Sequence, residues 1–260
     1  MKRLPKLFDL DKAIELATLS NETYAQYKAW RNKESWSLPA EYELEIILDA
    51  VYENDNMPLG FICKKGSELY VVWRGTQDIE EWIEDAKYKQ VPCSFIKDVD
   101  VELGFEQMYT TGDSKVASPQ QKVLDYLATV NPSDYTNLWV TGHSLGAAIA
   151  VLNIADIASN TEHKSAILYS FAGPRVGDHN FASEYNSIVN HSYRVVNTHD
   201  EVPKLPPQDC PPILHTYHYE HVKHTVPITF GNFWNLAEDH SIQGYIKQLE
   251  AIKKETLVSA

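Results

Sequence analysis

The sequence predicts an α/β fold, with a mostly parallel central sheet and helices on both faces. Three observations carry that prediction. From about Ser118 to Thr198, strand-like and helix-like segments alternate, which implies βαβ units and a parallel sheet. A length of 260 residues, with 43% hydrophobic and 23% charged side chains, suits one soluble core. The junction of one strand with the next helix carries a glycine-flanked serine, Ser144, where open α/β sheets collect their reactive groups.

The elements follow in order. Leu10, Ala13, Ile14 and Ala17, then Tyr24, Tyr27 and Trp30, recur at helical intervals. "LGFICKK" and "ELYVVWRG" are strand candidates, and Gly66 and Ser67 between them make a hairpin. The alternation then runs from helix "PQQKVLDYLATV" to strand "NLWVTG", helix "LGAAIAVLNIADIAS", strand "SAILYSFAG", helix "HNFASEYNSIV" and strand "SYRVVNT". A proline-rich loop, "EVPKLPPQDCPP", leads to a strand pair, "HTYHYEHV" and "TVPITF", and to a closing helix from Ser241 to about Lys254. No repeat, low-complexity tract or Gly/Ser linker divides the chain, so a single domain over residues 1–260 is expected.

Charge narrows the partners. The formal net charge of −13 repels polyanions and gives no attraction to anionic lipid surfaces, which excludes nucleic acid. No window is apolar enough to span a bilayer, and no obligate protein partner is evident. At the N-terminus Pro5, Lys6, Asp9, Asp11 and Lys12 interrupt any signal-peptide core. The sequence leaves the location open between the cytoplasm and, for a mature form that has lost its leader, the exterior. Cys63, Cys93 and Cys210 are odd in number and widely spaced. They fit neither a disulfide framework nor a zinc site and are expected as buried or idle thiols.

The serine segment is the most informative. A serine hydroxyl needs an adjacent base, and its neighbours must leave the oxygen accessible. Gly142-His143-Ser144-Leu145-Gly146 fits the G-x-S-x-G elbow, with a strand before it and a helix after it. The helix beginning near Leu145 would aim backbone N–H groups at a developing oxyanion. The partners should follow in the order Ser, acid, His. Asp178 and Asp200 both qualify by position, and Asp200 is favoured because the three prolines after it restrict its loop. His240, in "LAEDHSIQGYI", is the best candidate base, whereas His143 lies too close to the serine in sequence. His215, His218, His221 and His224 recur every third residue, a period that alternates faces on a strand and does not gather metal ligands.

Several motifs together resemble the class 3 lipases, the family of the fungal triacylglycerol lipases, over about Leu59 to Tyr245. They are "VVWRGT", "TGHSLGAAIA", "SFAGPRVGD", "NTHDEVPKLPP", "YEHV" and "DHSIQGY". The resemblance implies an α/β-hydrolase fold and a triad of Ser144, Asp200 and His240. It also implies that Thr76 is the second oxyanion donor beside the Leu145 N–H, since the chain lacks any Gly-Gly pair for an HGGG-type loop. No metal or organic cofactor is implied. The segment 78–87 carries Ile79, Trp82, Ile83 and Ala86 on one helical face, which reads either as a helix packed on the core or, as the resemblance implies, as a lid contacting substrate. The family's His-x-Gly-Phe is replaced by Glu102-Leu103-Gly104-Phe105. The implied activity is hydrolysis of acylglycerols or related lipid esters at an oil–water interface, through an acyl-enzyme on Ser144. Phospholipase A1 and feruloyl-type esterase are alternatives, and a non-catalytic scaffold is a further one.

Overall fold

The computed structural model describes residues 5, 7–52, 55–76, 88–210 and 216–258. Its centre is a seven-stranded sheet, built from β1 (Glu43–Tyr52), β2 (Asp55–Lys65), β3 (Glu68–Trp73), β6 (Asn137–His143), β7 (Ile167–Phe171), β8 (His191–Asn197) and β11 (Thr225–Ile228), in that spatial order. The first three are antiparallel neighbours, and β3 through β11 run parallel. Two small antiparallel pairs lie apart from it. One joins β4 (Gln90–Pro92) to β5 (Asp100–Glu102), the other β9 (Asp209–Cys210) to β10 (Tyr217–His218). This is the α/β-hydrolase architecture expected from the sequence.

The period of two along each strand sorts side chains to two faces. On β3, Leu69, Val71 and Trp73 enter one apolar cluster, whereas Tyr70 and Val72 enter the other. Helix α1 (Leu10–Asn32) and the C-terminal α7 (Ile242–Val258) pack on the second face through Leu16, Leu19, Tyr245 and Leu249. The first face is covered by α2 (Leu103–Thr110), α3 (Pro119–Ala128), α4 (Leu145–Asn160) and α5 (His179–Ile188). Helix α4 is buried almost all round, as its continuous apolar and Ala-rich sequence requires.

Two expectations change. The run "ELEIILDAVY" is the edge strand β1, not anticipated from the sequence. Register shifts between Leu44 and Ile46 and between Leu48 and Asp49 break its alternation, so the period of two is lost. The expected pairing of "HTYHYEHV" with "TVPITF" does not occur. Tyr217–His218 pairs with Asp209–Cys210, and Thr225–Ile228 joins the main sheet beside β8. Burial separates the two runs: Val226 and Ile228 are in the core, while His218 is exposed. Cys63 and Cys93 are buried, Cys210 is partly so, and all three are free thiols. Among the described residues no helix is long and apolar enough to cross a membrane.

Candidate active site

Strand β6 ends at His143 and α4 begins at Leu145, so Ser144 alone makes the turn. It does so with φ 59° and ψ −128°, a conformation costly for any side-chain-bearing residue. The crossing is tight. A Cβ on Gly142 would lie 2.3 Å from the Gly146 carbonyl oxygen, and one on Gly146 would lie 2.4 Å from the Trp73 carbonyl oxygen. The two glycines therefore let α4 approach its own strand and the end of β3.

The sequence-predicted residues meet at this turn. Ser144 Oγ lies 2.8 Å from His240 Nε2, and His240 Nδ1 lies 2.8 Å from Asp200 Oδ2. All three are buried. With Nδ1–H donating to the Asp200 carboxylate, Nε2 is left to accept from the serine hydroxyl. Asp200 is fully engaged: Oδ2 also accepts from the Tyr245 hydroxyl at 2.9 Å, and Oδ1 accepts from the Val202 N–H at 3.0 Å. Tyr245 OH in turn accepts from the Asn197 N–H. The other acid considered, Asp178, caps α5 by accepting from the Phe181 N–H at 2.7 Å and takes no part here.

The acid loop is braced from both sides. Arg175, in "SFAGPRVGD", donates to the carbonyls of Lys204 and Pro206. His221 Nε2–H donates to the Pro203 carbonyl at 2.6 Å. His218, by contrast, sits on the surface against Asp209; His215 lies outside the described residues.

His143 braces His240 from the neighbouring strand end. Its Nε2–H donates to the His240 carbonyl at 2.7 Å, so its Nδ1 accepts from Tyr24 OH at 2.7 Å. Burial, reinforced by the adjacent His240 ring, holds the His143 pKa well below the usual histidine range. Tyr24 comes from α1, where aromatic spacing marks it only as a core residue. The hydrogen-bonding roles of Tyr24 and Tyr245 leave no signal in sequence period; the position of Tyr245 five residues after His240, within "DHSIQGY", is the available hint.

Tyr24, Thr76, His143, His240, Ala237 and Ile242 are among the residues lining a cavity of about 430 Å³. Thr76 thus stands at the site, three residues after the β3 end that abuts the elbow, and Leu145 follows Ser144 as the first residue of α4. The segment 78–87, with Ile79, Trp82 and Ile83, lies outside the described residues. Glu102, which replaces the family's histidine, caps α2 by accepting from the Phe105 N–H at 2.9 Å.

Two neutral histidines, the buried His143 and the half-buried His221, make stability depend on pH. Burial lowers the pKa of His143, and burial together with Arg194 lowers that of His221 to about 3, from ordinary values near 6.5. Below pH 6.5 the unfolded chain binds protons that the folded chain refuses, so stability falls as pH falls. The expected slope is on the order of 1 kcal/mol per pH unit for each ring. Carboxylates held low, such as Glu15 at about 2, add their loss only below the ordinary carboxylate range. Urea midpoints should drop between pH 7 and about pH 5; a flat profile there would contradict the assignment of two neutral rings.

A serine at a strained strand-to-helix turn, followed in sequence by an acid and a histidine on later loops, defines an α/β-hydrolase of the serine type. Comparison with known proteins agrees and gives the family. The family model for Lipase (class 3) matches residues 70–210, and the chain belongs to that family. It is 31% identical to phospholipase A1-Igamma3, chloroplastic, of Arabidopsis thaliana over 202 residues, which is 69% of this chain and 38% of that protein. It is 30% identical to phospholipase A1-II 1 of Oryza sativa over 219 residues, 78% of this chain and 54% of that protein. The chain therefore spans about half or less of the length of these curated relatives. Among solved structures, a deletion mutant of the Rhizomucor miehei lipase in complex with its propeptide superposes with a TM-score of 0.70 at 25% identity, covering 88% of this chain and 69% of that one. The mono- and diacylglycerol lipase of Aspergillus oryzae gives 0.63 at 27% identity, covering 76% and 74%.

Proposed function

We propose that this chain, as a single α/β-hydrolase domain over residues 1–260, hydrolyses the carboxylic ester bonds of acylglycerols or related lipids. The observation that carries the reading is the Ser144–His240–Asp200 hydrogen-bonded chain at the strained elbow. Ser144 Oγ attacks the ester carbonyl carbon while its proton passes to His240 Nε2. Asp200 stabilises the imidazolium, and Tyr245 and Val202 keep the carboxylate oriented. The Leu145 and Thr76 N–H groups receive the oxyanion. Collapse of the tetrahedral species expels the alcohol, which takes the proton from His240. A water activated by the same histidine then releases the fatty acid and restores Ser144. The negative net charge repels the anionic product. The segment 78–87, through Ile79, Trp82 and Ile83, acts as a lid at the oil–water interface.

A phospholipase A1 reading has its own support in the plant relatives, whose names carry that activity. Product analysis separates the two. Emulsified triacylglycerol and phosphatidylcholine with different acyl chains at its two positions are supplied in parallel. The acylglycerol reading expects fatty acid chiefly from the triacylglycerol, and the phospholipase reading expects the sn-1 chain of phosphatidylcholine. Turnover of dissolved short esters with neither lipid hydrolysed would overturn both.

A further inference from the structure

Two consecutive aromatic residues stand in solvent beside the site. Phe233 is 50% exposed and Trp234 88%, and among the described residues every other Phe and Trp is buried or half-buried. Leaving that much apolar surface in water is unfavourable, yet the loop is built to do it. Trp234 N–H donates to Asn232 Oδ1 at 3.0 Å, and Asn232 N–H donates to the buried Asp239 carboxylate at 3.1 Å. The Phe230 carbonyl at the base of the loop accepts from Asn197 Nδ2 and His199 Nδ1. Phe233 itself adopts φ 68°, rare for a bulky side chain. A braced backbone thus holds a strained residue and turns the pair outward.

Its position relates it to the chemistry. The loop follows the carboxyl end of β11 and runs straight into α6 (Leu236–Asp239), whose C-cap is His240. Ala237, three residues beyond Trp234, lines the cavity that Thr76 and His240 share. The Phe233 ring stands edge-on to His199, the residue before Asp200, at 5.8 Å between centroids, and Lys204 Nζ lies 5.3 Å from the same ring. The aromatics therefore sit on the rim formed by the two loops that deliver the acid and the histidine.

We propose that Phe233 and Trp234 form an interfacial anchor that seats this rim on a neutral or zwitterionic lipid surface. The proposal rests on the lipid-ester reading of Ser144, because a water-insoluble substrate must be met at the surface of its own phase. Tryptophan suits such a boundary, because its ring settles at headgroup depth with the indole N–H still hydrated. The net charge of −13 selects against anionic surfaces. Continuity with the cavity rim favours a lipid surface over a protein partner, which would need a wider patch than two side chains.

The test compares Trp234→Ser with the parent chain. Binding is measured by flotation with phosphatidylcholine vesicles, with Ser144→Ala present in both proteins so that no lipid is consumed. Partitioning should fall at least about fivefold in the Trp234→Ser protein, and replacing part of the phosphatidylcholine by phosphatidylglycerol should weaken binding of the parent. In proteins that keep Ser144, turnover of a dissolved short-chain p-nitrophenyl ester should be unchanged by Trp234→Ser while turnover of vesicle or emulsion substrate falls. Equal partitioning of the two proteins would overturn the anchor, as would an equal loss on dissolved and dispersed substrates. If neither protein hydrolyses any ester but partitioning still depends on Trp234, the anchor stands and the lipid-ester reading of Ser144 fails.

Discussion

Replacing Ser144 by alanine is expected to lower ester hydrolysis by about 10⁵- to 10⁶-fold while leaving the protein folded. The magnitude follows from the role given to the side chain. Its Oγ is the atom that forms the bond to the acyl carbon, and it is held 2.8 Å from the histidine that takes its proton. Without it, His240 and Asp200 have no nucleophile to serve, and only the polarising effect of the oxyanion donors is left. Stability should change little, because alanine carries the same Cβ at the same φ of 59° and loses only one side-chain hydrogen bond. Initial rates on a p-nitrophenyl ester, with thermal melts as the control on folding, check both halves. Residual activity within about tenfold of the parent would place the nucleophile elsewhere.

Gly146→Ala is the second large effect, and it acts on the frame. Its Cβ would fall 2.4 Å from the Trp73 carbonyl oxygen, 2.6 Å from the Arg74 carbonyl carbon and 2.7 Å from that of Trp73. All three contacts are backbone, so no rotamer change relieves them. The start of α4 must move away from the end of β3, and that movement separates Ser144 from Gly75 beside it. Overpacking of this kind costs about 3 kcal/mol or more. The variant should show a melting temperature lowered by several degrees, with activity down at least about 100-fold because the oxyanion donors shift with the turn. A melting temperature and rate equal to the parent's would mean that the close approach of α4 to β3 is not required.

Much of this site can be read in the sequence because its parts are local. Gly142 and Gly146 mark the elbow by type and spacing, the order of Ser144, Asp200 and His240 follows the order of the strands, and the prolines after Asp200 mark a loop of restricted freedom. The structure brings these residues within hydrogen-bonding distance of one another. What is not legible is long-range. Strand β1 is hidden because its bulges destroy the period of two. The partner of "TVPITF" depends on which run the core can cover, a property of the assembled sheet. The struts from Tyr24 through His143, and from Tyr245 to Asp200, bridge residues 119 and 45 positions apart in the chain. An aromatic at helical spacing announces burial and says nothing of where its hydroxyl goes. His143 illustrates the same limit: its sequence position excludes it as the base, yet only the fold shows its ring fixing the His240 backbone.

Covalent labelling tests most directly whether Ser144 is an activated nucleophile. Treatment with a fluorophosphonate, followed by peptide mass spectrometry, should give a single adduct on the peptide bearing Ser144. That adduct should be absent from Ser144→Ala and formed far more slowly in His240→Ala. An unlabelled Ser144 in the folded protein, or labelling undiminished by loss of His240, would contradict the central claim.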